Sequence, residues 1–129
     1  MPSILRRTAY EIAQSARGLP CAVFVDITER CELKCRMCRF WSDGAHDVSR
    51  ELDVPTLCAL LDEARRDLGV RRLRFVGGEP FLHRGLLDAV RHARSLGMHV
   101  NVVTNGWLVD ADMARRVVAS GLDAIRVSV

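Results

Sequence analysis

The chain has 129 residues, 49 % hydrophobic and 27 % charged, with a formal charge of +3. That balance excludes a disordered chain and allows one modest domain with a core of its own. Lys34 is the single lysine, and arginine pairs such as Arg65-Arg66 and Arg115-Arg116 stand beside Asp62, Glu63, Asp67 and Asp112, which reads as a solvated mixed-charge surface and not as a nucleic-acid stripe.

The chain opens on an expected helix whose apolar stripe is Leu5, Ala9, Ile12, Ala13 and Ala16. Arg6-Arg7 is followed by Glu11, Gln14 and Arg17 where a secretory leader would be apolar, so no leader is expected. No apolar run approaches the length that spans a bilayer. A strand is expected over Ala22–Thr28. It runs into the loop Cys-Glu-Leu-Lys-Cys-Arg-Met-Cys, which places Cys31, Cys35 and Cys38 close together. Asp53 is the expected cap of a second helix, with Pro55 in its first turn and Leu57, Leu60, Leu61, Ala64 and Leu68 facing inward.

From Gly69 onward one unit repeats: a helix stops at glycine, a short apolar strand follows, and a loop of unusual composition comes after it. The stops are Gly69, Gly97 and Gly121. The strands are Arg72–Val76, His99–Thr104 and Ala124–Val129. The intervening helices carry Leu86, Leu87, Val90 and Ala93, and then Met113, Ala114, Val117 and Val118 behind the cap Asp110. Alternating strands and helices predict an α/β fold with a parallel sheet. Ligands of such sheets gather at the carboxyl ends of the strands. Those ends here carry the cysteines, then Gly77-Gly78-Glu79-Pro80, then Thr104-Asn105-Gly106, then Ser128. Four unusual strand ends should converge on one site.

Three thiolates are one short of a closed tetrahedral zinc site or a fully ligated four-iron cluster. Lys34, Arg36 and Arg39 would favour deprotonated thiols beside an anionic cluster. Zinc with His46 as fourth ligand is the alternative. The odd count of five cysteines does not suggest a disulfide framework; a reducing cytoplasm fits, with Cys21 and Cys58 as small core residues. Gly77 and Gly78 lack side chains, so a ligand could approach the backbone, with Glu79 adding a charged acceptor. Strand phase places Asp26 with Thr28, Arg72 with Arg74, and Arg126 with Ser128, which predicts one apolar and one partly polar sheet face.

On these residues the chain resembles the first half of a radical S-adenosylmethionine (radical SAM) enzyme. Cys31, Cys35 and Cys38 match the superfamily's C-x3-C-x2-C loop, and Gly77 through Pro80 match its Gly-Gly-Glu-Pro motif. Thr104-Asn105-Gly106 and Ser128 sit where members often have the same residues. Met37 departs from the aromatic residue common before the third cysteine.

The resemblance implies a partial (βα) TIM-like barrel, cut off after about the fourth strand, over residues 21–129, behind an N-terminal helical extension over residues 1–20. It implies that the three cysteines ligate a 4Fe-4S cluster and that S-adenosylmethionine binds the remaining iron. Gly77, Gly78, Glu79 and Pro80 would orient its amino group, Met37 would lie near adenine, and Thr104, Asn105 and Ser128 would complete the site. It further implies a 5′-deoxyadenosyl radical that abstracts hydrogen from a substrate. An electron donor such as flavodoxin or ferredoxin is then expected, together with a missing C-terminal half or partner chain, since the sequence ends inside a strand. The competing class is a non-catalytic metal-binding module, using zinc or iron-sulfur and needing a partner chain.

Overall fold

The structure, a computed structural model, describes residues 4–38, 40 and 47–128. Helix α1 (Ile4–Ala16) precedes strand β1 (Ala22–Thr28). The pairs α2 (Val54–Arg66) and β2 (Arg72–Gly77), α3 (Leu86–Ser95) and β3 (His99–Thr104), and α4 (Ala111–Ser120) and β4 (Ala124–Val127) follow, with short 3-10 turns at Val48–Arg50 and Pro80–Leu82. Among the described residues the strands form one parallel sheet in the order β1-β2-β3-β4.

Local signals explain the element boundaries. The Asp53 carboxylate accepts the Thr56 N–H at 2.8 Å and Asp110 accepts that of Met113 at 2.7 Å, each satisfying a donor that the first helical turn leaves unpaired. Gly69, Gly97 and Gly121 all have positive φ, between 67° and 78°, the left-handed turn that ends a helix.

Strand alternation divides the sheet. Leu73, Phe75, Val100 and Val102 are buried, with Val23, Val25 and Ile125 packed beside them. Leu57, Leu61 and Ala64 of α2 join this core, with Leu86, Leu87, Ala89, Val90 and Ala93 of α3 and Val117 of α4. The other face carries the register row Phe24, Arg74, Asn101 and Ala124, and beyond it Asp26 with Val76 and Val103 with Arg126. It is the partly polar face expected from strand phase. The Arg74 guanidinium lies over the Phe24 ring, 5.0 Å from its centroid. Thr28 leaves the expected phase: the β1–β2 register shifts between Asp26 and Thr28, and Thr28 is buried.

Several apolar positions expected in the core are not there. Leu60 on α2 and Leu68 just beyond its end are exposed, as are Ala114 and Val118 on α4. Cys21 and Cys58 are half-buried. The stripe Leu5, Ala9, Ile12, Ala13 and Ala16 of α1 faces outward, and the opposite, polar side of the helix docks. Gln14 Nε2 donates to the carbonyls of Pro20 and Leu68 at 2.9 and 2.8 Å, and the Tyr10 hydroxyl donates to that of Gly69 at 2.8 Å. Glu11 pairs with Arg72 at the start of β2, 2.9 Å away. The helix thus lies over loop backbone, where unpaired carbonyls need donors more than they need methyl groups.

Candidate functional site

The strand ends converge. All three clustered cysteines line one cavity of about 260 Å³. Gly77 and Gly78 line it from the end of β2, Thr104 and Asn105 from the end of β3, and Ser128 from beyond β4. Leu33 and Phe40 from the cysteine loop and Val76 and Val103 from the strand ends supply apolar wall, which motif reading did not identify because apolar residues carry no ligand chemistry of their own. Ser128 is fastened to β3, its N–H donating to the Thr104 carbonyl at 2.9 Å.

The cysteine loop turns tightly where Cys38 N–H donates to the Cys35 carbonyl at 3.0 Å. Cys35 is exposed, Cys31 and Cys38 are half-buried, and none of the five cysteines is joined in a disulfide. The Cys31 thiol is pushed up, first by burial and then by the nearby Glu32 and Glu79 carboxylates and Cys38, against a lowering N–H from Leu33. The charged side chains acting on Cys31 are carboxylates, and Lys34 and Arg36 are not among them. Arg39 and His46 lie outside the described residues. Among those described, no group of three or more His, Cys, Asp and Glu side chains is gathered tightly enough for a single metal ion. Thiolates on one zinc stand only about 3.8 Å apart for tetrahedral bonds of about 2.3 Å. Ligands on separate irons of a cubane stand wider. Three soft donors around one cavity, with N–H groups aimed at sulfur, fit an iron-sulfur cluster.

The glycine turn also has a physical cause within the chain itself. A Cβ on Gly77 would stand 2.3 Å from the Thr28 carbonyl oxygen, and one on Gly78 2.1 Å from that of Arg30. The pair is required because the end of β2 presses against the backbone leading into the cysteine loop. Gly78 N–H donates to Thr28 O at 2.8 Å, and Glu79 N–H to Arg30 O at 2.7 Å.

Glu79 and Pro80 are buried and lie off the cavity wall, as does Met37, which is 97 % exposed. The Glu79 carboxylate is occupied within the protein. Oε1 accepts the Thr104 hydroxyl at 2.8 Å and the Phe81 N–H at 3.0 Å, and Oε2 accepts the Asn105 N–H at 2.9 Å. It ties the turn after β2 to the turn after β3. Asn105 in turn brings its side-chain Nδ2 to 3.8 Å from Cys31 Sγ.

Sequence reading missed a clasp at the base of the cysteine loop. Arg30 Nε donates to Glu51 Oε1 at 2.6 Å, and Nη2 donates to Glu51 Oε2 at 3.2 Å and to the Leu82 carbonyl at 2.6 Å. The Thr28 hydroxyl also donates to Glu51. Burial pushes the Glu51 carboxyl up, but the hydrogen bonds from Arg30 and Thr28 and the neighbouring charge outweigh it, leaving it below the ordinary glutamate value. His83 closes the side of the clasp: Gly85 N–H donates to Nδ1 at 3.1 Å, so Nε2 carries the ring proton toward the Leu52 carbonyl, also at 3.1 Å.

Residues 25–129 match the family model described as the Radical SAM superfamily. A PqqA peptide cyclase of Streptomyces rochei is 36 % identical over 119 residues, covering 91 % of this chain and 32 % of its own length. One from Xanthomonas euvesicatoria pv. vesicatoria (strain 85-10) is 34 % identical over 110 residues, 85 % of this chain and 29 % of its own. The chain therefore spans about a third of the length of these relatives. In fold it is similar to BtrN crystallised with AdoMet and 2-DOIA, with a TM-score of 0.71 and 23 % identity over 84 % of this chain and 45 % of that one. It is also similar to Streptococcus suis SuiB bound to the precursor peptide SuiA, with a TM-score of 0.67 and 20 % identity over 87 % and 25 % of the two chains.

Proposed function

The chain belongs to the radical SAM superfamily, whose members use a 4Fe-4S cluster and S-adenosylmethionine, and from that premise we propose that its strand-end cavity holds both cofactors. The observation that carries this reading is the meeting of Cys31, Cys35 and Cys38 with Gly77 and Gly78 on one cavity. The three cysteines hold the cluster. When bound, the cluster and S-adenosylmethionine supply a one-electron cleavage of the sulfonium that arms hydrogen abstraction from a substrate. The electron comes from an external donor protein of the flavodoxin or ferredoxin kind.

The chain's own residues orient and enclose. Carbonyls of the Gly77-Gly78 turn accept from the methionyl ammonium. Thr104 and Ser128 add polar contacts, and Leu33 and Phe40 exclude water. Glu79 acts indirectly, by holding the Thr104-Asn105 turn against the cysteine loop. The substrate is a peptide; sequence identity to peptide cyclases over most of this chain supports that class. Residues 21–129 form the catalytic core unit, with the first 20 residues as an extension across it.

Anaerobic reconstitution tests this. Iron and sulfide should load together, the reduced protein should give an EPR signal, and S-adenosylmethionine should change that signal. Zinc uptake without iron, or an EPR signal indifferent to S-adenosylmethionine, would overturn the cofactor assignment. Full iron loading in a Cys35→Ala variant would overturn the ligand assignment.

A further inference from the structure

Asn105 occupies a position that motif matching does not explain. Its side-chain amide has one allowed orientation. Oδ1 accepts the Trp107 N–H at 2.8 Å, so the NH2 group must face the other way. One of its hydrogens is directed at Glu32 Oε1, 2.8 Å away, and the other at Cys31 Sγ, 3.8 Å away. The backbone is fixed as well, because Asn105 N–H donates to the fully buried Glu79 carboxylate. Glu79 also holds Thr104, whose hydroxyl oxygen accepts the Gly106 N–H at 3.0 Å. A buried carboxylate, a backbone turn and an amide dipole thus form one rigid path that ends on a cysteine sulfur.

We propose that Asn105 is a positioning residue that sets the reduction potential of the cluster by donating an N–H hydrogen bond to the Cys31 thiolate. The inference rests on the reading that Cys31 ligates the cluster. Reduction adds one electron to the cluster, from 2+ to 1+, and breaks no bond and moves no proton. The added charge spreads onto the ligand sulfurs. A donor dipole aimed at one of them therefore stabilises the reduced form more than the oxidised one and raises the potential. The Leu33 N–H acts on the same sulfur, through backbone, and cannot be removed by a side-chain change.

The test is an EPR-monitored titration with dithionite as reductant, run on the iron-loaded chain and three variants. In Asn105→Ala the amide is lost. In Asn105→Asp the shape and the Trp107 contact are kept, and the donor becomes a carboxylate. In Glu32→Gln the amide stays and its competing acceptor loses charge. At the potential that half-reduces the parent, the reduced-to-oxidised ratio should fall about threefold to tenfold in Asn105→Ala, tenfold being 59 mV for one electron. It should fall further in Asn105→Asp and should not fall in Glu32→Gln. An unchanged potential in both Asn105 variants overturns the proposal. So does a fall in Glu32→Gln as large as that in Asn105→Ala, because loop disturbance would then be the cause. If Asn105→Ala does not fold, Asn105→Asp alone decides. Failure of the parent to take up iron sinks the ligand reading instead, and the iron analysis separates the two outcomes.

Discussion

The guanidinium of Arg30 closes on the carboxylate of Glu51, 2.6 Å from Nε to Oε1, and so joins the two ends of the segment that carries the three cysteines. Both side chains are largely withdrawn from solvent, 22 % and 10 % exposed. An exposed pair would add little. A pair this buried strongly penalises removal of one partner. Arg30→Ala leaves the Glu51 charge without its cation and the Leu82 carbonyl without its donor. The expected loss is about 2–3 kcal/mol, read by urea denaturation. Arg66→Ala, which breaks the exposed pair with Asp67, should leave the urea midpoint essentially unchanged. In a double-mutant cycle Arg30→Ala and Glu51→Gln should couple by at least about 1 kcal/mol; additivity would show that the clasp carries no energy.

The same clasp gives a pH dependence with a definite sign. The folded-state Glu51 carboxyl lies below its ordinary value. Its contribution is therefore fully present above the unfolded glutamate value, about 4.3, and is lost as pH falls through the lowered folded value. Glu51→Gln abolishes that titration. The stability gap between parent and variant should be constant near neutrality and shrink as the solution is acidified below the ordinary glutamate range. Glu11, Asp47, Asp53 and Asp67 are also lowered, but both proteins share them, so they cancel in the difference. A gap that widens with acid would refute the assignment.

Gly78 makes a sharper structural claim. The atom its Cβ would meet is the Arg30 carbonyl oxygen, with the Glu29 carbonyl oxygen 2.8 Å away. Backbone cannot swing aside as a flexible side chain can. Gly78→Ala should therefore push β2 from the entry of the cysteine loop and strain the bonds from Gly78 N–H to Thr28 and from Glu79 N–H to Arg30. The expected cost is about 3 kcal/mol or more. It should appear in the chain without cofactors, as a lowered urea midpoint. Unchanged cofactor-free stability combined with lost S-adenosylmethionine binding would restore the simpler view that the glycines only make room for a ligand.

What the sequence made legible was local. The caps at Asp53 and Asp110, the stops at Gly69, Gly97 and Gly121, and the β-branched strand composition each act within a few residues, and the expected strands and helices follow from them. The convergence of Cys31, Gly78, Asn105 and Ser128 was legible because parallel topology sends successive strand ends to one side. Burial of a named side chain was not. Residue type said that Glu79 is charged; only the turn after β3 determines that its carboxylate is used up internally. Arg30 and Glu51 are 21 positions apart, a spacing with no periodic signature. An apolar stripe indicates which side of a helix could be buried, but says nothing about whether the surface beneath offers methyl groups or carbonyl oxygens.

Helix α1 turns that last point into a measurement. Its apolar stripe is exposed, Leu5 at 81 % and Ile12 at 63 %, whereas Gln14 is 4 % exposed and bridges two carbonyls from separate loops. If packing of the stripe held the helix, Leu5→Gln and Ile12→Gln together would cost several kcal/mol, as core truncations do. The polar docking face predicts the reverse order. The double variant should lie within about 0.5 kcal/mol of the parent. Gln14→Ala should lose about 1–3 kcal/mol, because the Pro20 and Leu68 carbonyls would both lose the side-chain donor that joins them. Urea denaturation of the three proteins ranks them directly, and a larger loss in the Leu5 and Ile12 variant would show that α1 is held by its apolar side after all.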